Sequence, residues 1–197
     1  MFSYQRLVVP GGTYFFTVRL QDRTSGVLTQ RVDLLRAAMR LAQKQWPFRI
    51  DVAVVLPDHL HMVWTLPDVD ADFSKRWRLI KSTFSRHVAP PATLCPSKAR
   101  RGEKGIWQRR FREHLIRDDL DFAAHRAFAL NAPVLAGLVA RPQDWAHSSL
   151  HRDLRRGRAL PAMSGYAALE GCQVGLAYHT AHRGGEAHLT QGSLLGL

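Results

Sequence analysis

The chain is 197 residues long, the size of one domain with at most a trailing extension, which excludes a multidomain machine. Hydrophobic residues make up 46%, which excludes wholesale disorder, and two cysteines, Cys95 and Cys172, cannot build a disulfide framework or a cysteine-rich zinc module. Against 16 Asp and Glu stand 28 Lys and Arg, a net charge of +12 that points to a polyanionic partner.

Tyr14 to Leu20 (YFFTVRL) is aromatic and β-branched, follows the turn signal Pro10-Gly11-Gly12, and predicts a strand. Thr29 is placed to cap a helix running to about Gln45, with Leu34, Leu35, Ala38, Leu41 and Ala42 on one face and Pro47 ending it. Ile50 to Leu56 reads as a buried strand. Pro57-Asp58 makes a tight corner, and Leu60 to Leu66 returns as a second, antiparallel strand. From Asp72 a helix carries the apolar stripe Phe73, Trp77, Ile80 and Phe84, read as core, and sets Lys75, Arg76, Arg78, Lys81 and Arg86 on its other face.

A Pro-, Lys- and Arg-rich loop is expected over 90–105, with Gly105 to Arg117 entering a further strand at its end. Asp118, Asp119 and Asp121 suit the first turn of a third helix that runs to about Leu130, before Pro133. The order β-α-β-β-α-β-α predicts an α+β fold of ferredoxin-like, split-βαβ plan, an antiparallel sheet with helices packed on it. It fills 1–160, and 161–197 is expected to be a loosely packed or disordered tail. No apolar run approaches the ~20 residues of a membrane span, and Met1 to Arg6 carries no signal-peptide core, so a soluble, cytoplasmic protein without a membrane partner is expected.

The charge is concentrated. Between Ser74 and Arg117 lie 13 basic and 2 acidic residues, nearly the whole surplus in under a quarter of the chain. A solubilising face would give the same count, but nucleic acid is the stronger reading, because neutralised phosphates release counterions. Arg109, Arg110 and Arg112, with Lys75, Arg76, Arg78 and Lys81, are the candidate phosphate contacts. Trp107 borders the basic loop and is a candidate stacking platform for an unpaired base.

The sharpest local feature is Asp58-His59-Leu60-His61. On a strand, residues two apart share a face, so His59 and His61 stand side by side while Leu60, Met62 and Trp64 turn to the core. Two imidazoles so placed can bind one divalent ion and leave positions for a third ligand, water or a phosphate oxygen. A pair of surface histidines on an edge strand would give the same pattern. His114 and His125 could support the site or contact phosphate, but a satisfied structural role is the stronger reading for each, and His179 with His182 could meet a metal only on a helix. Arg155-Arg156-Gly157-Arg158 reads equally as a solvated turn or a phosphate clamp.

Several ordered motifs carry a resemblance. Gly11-Gly12-Thr13 through Val55-Leu56-Pro57-Asp58-His59-Leu60-His61, Phe73 to Lys81, Ile106 to His114, and Gly137-Leu138-Val139 with Asp144-Trp145 and Ser148-Ser149 together resemble the HUH single-strand DNA transposases. Within them the similarity is to the REP-associated tyrosine transposase (IS200-like) branch, over roughly residues 4 to 153. The resemblance implies a ferredoxin-like palm in which the two histidines hold a divalent metal, Mg or Mn, at a scissile phosphate of single-stranded or hairpin DNA. It also implies a helix tyrosine that forms a covalent 5′-phosphotyrosine link during strand cleavage and transfer.

The chain departs from that pattern at the nucleophile. The segment expected to read Asp-Tyr-Ile-x-x-Asn-Pro is Ala127-Phe128-Ala129-Leu130-Asn131-Ala132-Pro133, so the tyrosine position is Phe128 and the third-ligand position is Ala132. Asn131, beside it, is about 100° away around a helix and could reach a metal only on a shifted backbone. The remaining tyrosines are Tyr4, Tyr14, Tyr166 and Tyr178. Three readings stay open: a DNA-binding transposase-family protein whose family reaction is strand cleavage and transfer but whose own residues put tyrosine-dependent cleavage in doubt, a silent DNA-binding regulator, and a nuclease using metal-activated water. Phe128 is either natural or introduced to trap a DNA complex.

Overall fold

The computed structural model describes residues 7–91, 100–101 and 104–159. The expected tail (161–197) with Tyr166, Tyr178, His179 and His182, Tyr4 at the start, and most of the basic loop lie outside them. In chain order the elements are β1 (Thr13–Arg19), α1 (Val27–Gln30), α2 (Val32–Gln45), β2 (Arg49–Val55), β3 (His59–Thr65), α3 (Phe73–Arg86), β4 (Arg112–Leu115), α4 (Asp119–Leu135), a 3-10 turn (Pro142–Asp144) and α5 (Leu150–Arg155).

The four strands form one sheet in the order β2-β3-β1-β4, every neighbouring pair antiparallel. Strands β1 and β2 therefore run the same way with β3 inserted between them, which is the split-βαβ, ferredoxin-like α+β plan. On one face, Tyr14, Phe16 and Val18 of β1 and Leu60, Met62 and Trp64 of β3 pack under α2 and α3. The stripe Phe73, Trp77, Ile80 and Phe84 is core here, and the Trp64 and Trp77 rings stack at 4.3 Å. On the other face, Phe15, Val54 and Val63 pack under α4 and Leu150. Helices thus cover both faces, and six of the seven residues of β3 are buried.

The outer edge of β2 is covered as well. Val54 bridges to Ser148, Ala53 N–H donates to Ser149 Oγ at 3.0 Å, and Trp145 Nε1–H donates to the Val55 carbonyl at 2.9 Å. The Asp-Trp and Ser-Ser motifs near the end of the described chain therefore close an otherwise open edge.

Expectations for where helices start, which face they bury and where they end fail at Thr29, Leu41 and Pro133. Thr29 does not cap α2: it sits inside the single turn α1, its hydroxyl donates to the Gly26 carbonyl, and the backbone breaks at Arg31 before α2 begins. Leu41 is 44% exposed, because α2 turns Leu35, Ala38, Met39 and Ala42 to the sheet. Helix α4 passes through Pro133 and stops only at Gly137, whose φ of 67° is a left-handed conformation that glycine adopts without strain.

Arg76 is not on the solvent face of α3. It is fully buried, with Nε donating to Trp46 O (3.2 Å), Nη1 to Asp72 O (2.8 Å), and Nη2 to Pro47 O (2.7 Å) and Asp70 Oδ2 (2.9 Å). The guanidinium clamps α3 to the connection between α2 and β2, and it cannot reach phosphate. Lys75 is drawn to the same Asp70 at 2.8 Å. Burial works to raise the Asp70 carboxyl, but the hydrogen bonds from Arg76 and Lys75 outweigh it and hold it well below the usual carboxylate range. Arg76→Ala should lower stability by about 3 kcal/mol, since it strands three carbonyls and a carboxylate, whereas Arg78→Ala should stay within about 0.5 kcal/mol. Urea denaturation of the two variants checks this, and equal midpoints would contradict the clamp.

Candidate metal centre and basic groove

Alternation along β3 places His59 and His61 on the α4 side of the sheet, next to Thr17 and Arg19 of β1, which face them across the register. They are not on an edge strand: His59 is 5% and His61 1% exposed. Their ring centroids are 5.0 Å apart at 84°. In each, Nδ1 is held by a neighbour: His59 by Asp58 Oδ1 at 2.7 Å, and His61 by Thr17 Oγ1 at 3.0 Å. Asp58 is in turn fixed by Arg23 Nε at 2.7 Å. Such partners set ring orientation and leave Nε2 as the ligand atom, the arrangement typical of metal-binding histidines.

Burial pushes His61 well below its ordinary 6.5, and the charges of His59, Arg19 and Arg23 add to the push. His59 also moves down, because burial outweighs the opposing Asp58 carboxylate. Both imidazoles are neutral near pH 7, the form that ligates a metal.

A second group of donors sits across the Phe15 ring. Phe15 stacks on His61 at 5.5 Å and meets His125 at 4.9 Å. His114 of β4 and Asp121 and His125 of α4 bring one ligand atom each within 4.8 Å of one another, a set consistent with a metal site. Asp121 is its hub: Oδ2 accepts from His114 Nε2 (2.9 Å), Arg117 N–H (3.0 Å) and Arg117 Nε (3.0 Å), and Oδ1 lies 3.0 Å from His125 Nδ1. Burial acts to raise this carboxyl, but the bonds from His114 and Arg117 prevail and keep it far down and ionised.

Helix α4 brings Phe128 to the histidine pair, its ring 5.0 Å from that of His61 at 69°. It is 1% exposed and also meets Phe15 edge-on at 5.9 Å. Asn131 is buried on the same helix, but its amide donates back to Ala127 O at 2.9 Å, and the described contacts join Phe128, not Asn131, to the histidines. Tyr14 is on the opposite face of the sheet, where its hydroxyl accepts from Val9 N–H.

Between α3 and residues 104–111 runs a groove of about 800 Å³. Arg78, Lys81, Arg86, Arg101, Lys104 and Arg109 line it, and no acidic residue does among those described. Lys81 lies over the Trp107 and Phe111 rings at 5.8 and 5.5 Å and donates to Gln108 O. The groove and the histidines share one end of the sheet on opposite faces. Gln108 N–H donates to Arg19 O, Trp107 bridges to Leu20, and Arg19 pairs with His59, so the groove wall lies two strand spacings, about 10 Å, from the histidines. Arg112 pairs with Thr17 and so sits on the histidine face. Arg110 is exposed and lines neither feature.

No protein-family profile matches the chain. Its sequence is 43% identical over 157 residues to the REP-associated tyrosine transposase of Escherichia coli (strain K12), covering 80% of this chain and 87% of that protein. This chain belongs to the REP-associated tyrosine transposase family. It is also 39% identical over 156 residues to the counterpart in Haemophilus influenzae (strain ATCC 51907 / DSM 11121 / KW20 / Rd), covering 79% and 89%. A solved structure of the REP-associated tyrosine transposase bound to a REP hairpin matches with a TM-score of 0.70 and 40% identity, covering 82% of this chain and 91% of that one. Among the described residues, no helix is long and apolar enough to cross a membrane.

On α4 it is the Phe128 ring that stands beside the histidine pair. Three residues of the site escape a reading of motifs: Arg19 and Arg23, whose only signal is their spacing from the strand end, and Asp121, read as a helix-dipole residue although it stands four before His125. His59, His61 and His125 all lie below their ordinary 6.5 because they are buried. The unfolded chain then binds more protons than the fold below pH 6.5, so this stability is intact above 6.5 and is lost as pH falls toward the depressed values. Urea midpoints should fall between pH 8 and pH 5, above the range where carboxylates titrate. A midpoint unchanged or higher at pH 5 would contradict the neutral, buried histidines.

Proposed function

We propose that this family member binds single-stranded or hairpin DNA in the groove of α3 with a divalent ion, Mg or Mn, held by His59 and His61, and that it makes no phosphotyrosine link. The observation that carries the reading is Phe128, packed against His61 where the family motif calls for tyrosine, with no hydroxyl to attack a phosphate. The protein then acts by occupying its DNA site, as a silent regulator derived from a transposase, and is drawn to the nucleoid through DNA.

The residues suit that role. Arg78, Lys81 and Arg109 offer phosphate contacts in the groove, Arg112 offers one on the histidine face, and Trp107, half-buried against Phe84 at 5.4 Å, offers an aromatic wall for an unpaired base. When bound, the ion supplies positive charge that polarises a phosphate oxygen. Asp58 and Thr17 orient the two imidazoles, and Arg19 and Arg23 add positive charge beside them. The related structure is bound to a REP hairpin, which supports a hairpin as the substrate class here.

The test mixes the full chain with labelled hairpin DNA and Mn²⁺ and resolves the products on a denaturing gel beside a Phe128→Tyr variant. The wild-type chain should shift the DNA in a salt-sensitive way and leave no covalent adduct, while the variant should form one. An adduct with the wild-type chain would overturn the silent reading, and cleavage without an adduct would favour metal-activated water. Asp58→Ala should weaken Mn²⁺ binding by about 10- to 100-fold in a calorimetric titration. Unchanged affinity would remove His59 from the metal site.

A further inference from the structure

We propose a second phosphodiester-binding cleft at the end of the sheet opposite the histidines, built from Arg49, Arg126, Arg152, Arg156 and Arg158, that grips a more distant part of the same DNA. It rests on the DNA-binding reading above. The cleft has a volume of about 1530 Å³ and a floor that includes Phe48, Ile50, Leu66 and Phe122. Its arginines come from β2, α4, α5 and the turn after α5, elements that only the folded chain brings together.

Four of the five guanidinium groups, those of Arg49, Arg126, Arg152 and Arg158, are held in place. Asp153, 1% exposed, faces three of them: Arg126 Nη2 at 3.0 Å, Arg152 Nε at 3.5 Å and Arg158 Nη1 at 3.6 Å. Arg152 also donates from Nη1 to Ile50 O at 3.1 Å and from Nη2 to Asp51 O at 2.5 Å. Arg49 is paired with Asp51 at 2.6 Å, and Asp68 stands on the lip. Five guanidiniums against Asp51, Asp68 and Asp153 leave an excess of two positive charges above an apolar floor. A single buried carboxylate needs one guanidinium for its own compensation, and here it organises three. Fixed, planar, bidentate donors match phosphate oxygens, and the floor suits sugar and base.

The occupant is nucleic acid continuous with the DNA at the histidines. Arg49 pairs with Thr65 at the far end of β3, six residues from His59, or about 20 Å. That is about six base steps at 3.4 Å each. A DNA whose foot lies at His59 needs stem or flank of that reach to arrive at the cleft.

The experiment compares the full wild-type chain, an Arg156→Ala/Arg158→Ala variant and an Arg78→Ala/Lys81→Ala groove variant, with thermal melts confirming that each folds. Fluorescence anisotropy follows two DNAs across a salt series: a minimal hairpin, and the same hairpin with about six further base pairs and 10-nucleotide flanks. The cleft variant should bind the long DNA about tenfold more weakly, with a salt slope smaller by about two, and bind the minimal hairpin as wild type does. Equal affinity and slope for the long DNA, with the groove variant weakened, would overturn the cleft alone. A change confined to inhibition by inorganic phosphate overturns it too. If neither variant loses affinity for either DNA, the DNA-binding reading itself fails.

Discussion

Successive side chains of β3 point to opposite faces of the sheet, and because the strand lies between β1 and β2 both faces must be filled. Leu60, Met62 and Trp64 satisfy one face under α2 and α3. The other receives His59, His61 and Val63 under α4. A slip of one residue would put Trp64 among the histidines' partners and the imidazoles into the main core. The register is therefore fixed by packing, and the same packing fixes two imidazoles side by side. The price is burial of polar rings, offset by Asp58 on His59 and Thr17 on His61.

The positive charge is distributed with the same economy of position. Arg19 and Arg23 stand beside the histidines and help keep them neutral, while the groove on the other face of the sheet carries six cations. Phe128 completes an aromatic cluster with Phe15 and His61 and leaves no hydroxyl needing a partner in a nearly dry place. The fold holds its histidine pair and its basic surface with a phenylalanine packed against His61.

How far the sequence made this legible depended on the length scale of the signal. Strand alternation and the strand-corner-strand run around Pro57 place His59 and His61 without help, and the split-βαβ order follows from the element sequence. Arg76 carries the charge of a solvent-face residue at the position of a core one: it stands three after Phe73 and four before Ile80, squarely within the apolar stripe, and only the carbonyls of Trp46 and Pro47, supplied from 30 and 29 residues away, explain a buried guanidinium there. Pro133 misled because a proline costs a helix one bond, which the packing of α4 on β2 and β3 absorbs. The His114, Asp121 and His125 group joins a strand to a helix, so no local pattern announces it. The arginine cleft assembles residues from 49 to 158 and was visible in sequence only as an ambiguous basic turn.

The most direct test of the account is to locate the metal. Crystals of the full chain with Mn²⁺ and hairpin DNA, measured at a wavelength where manganese scatters anomalously, should show a peak bonded to Nε2 of His59 and of His61, with Phe128 beside it and no bond to the DNA. A peak at His114, Asp121 and His125 with none at His59 and His61 would contradict it, as would DNA that leaves the groove of α3 empty.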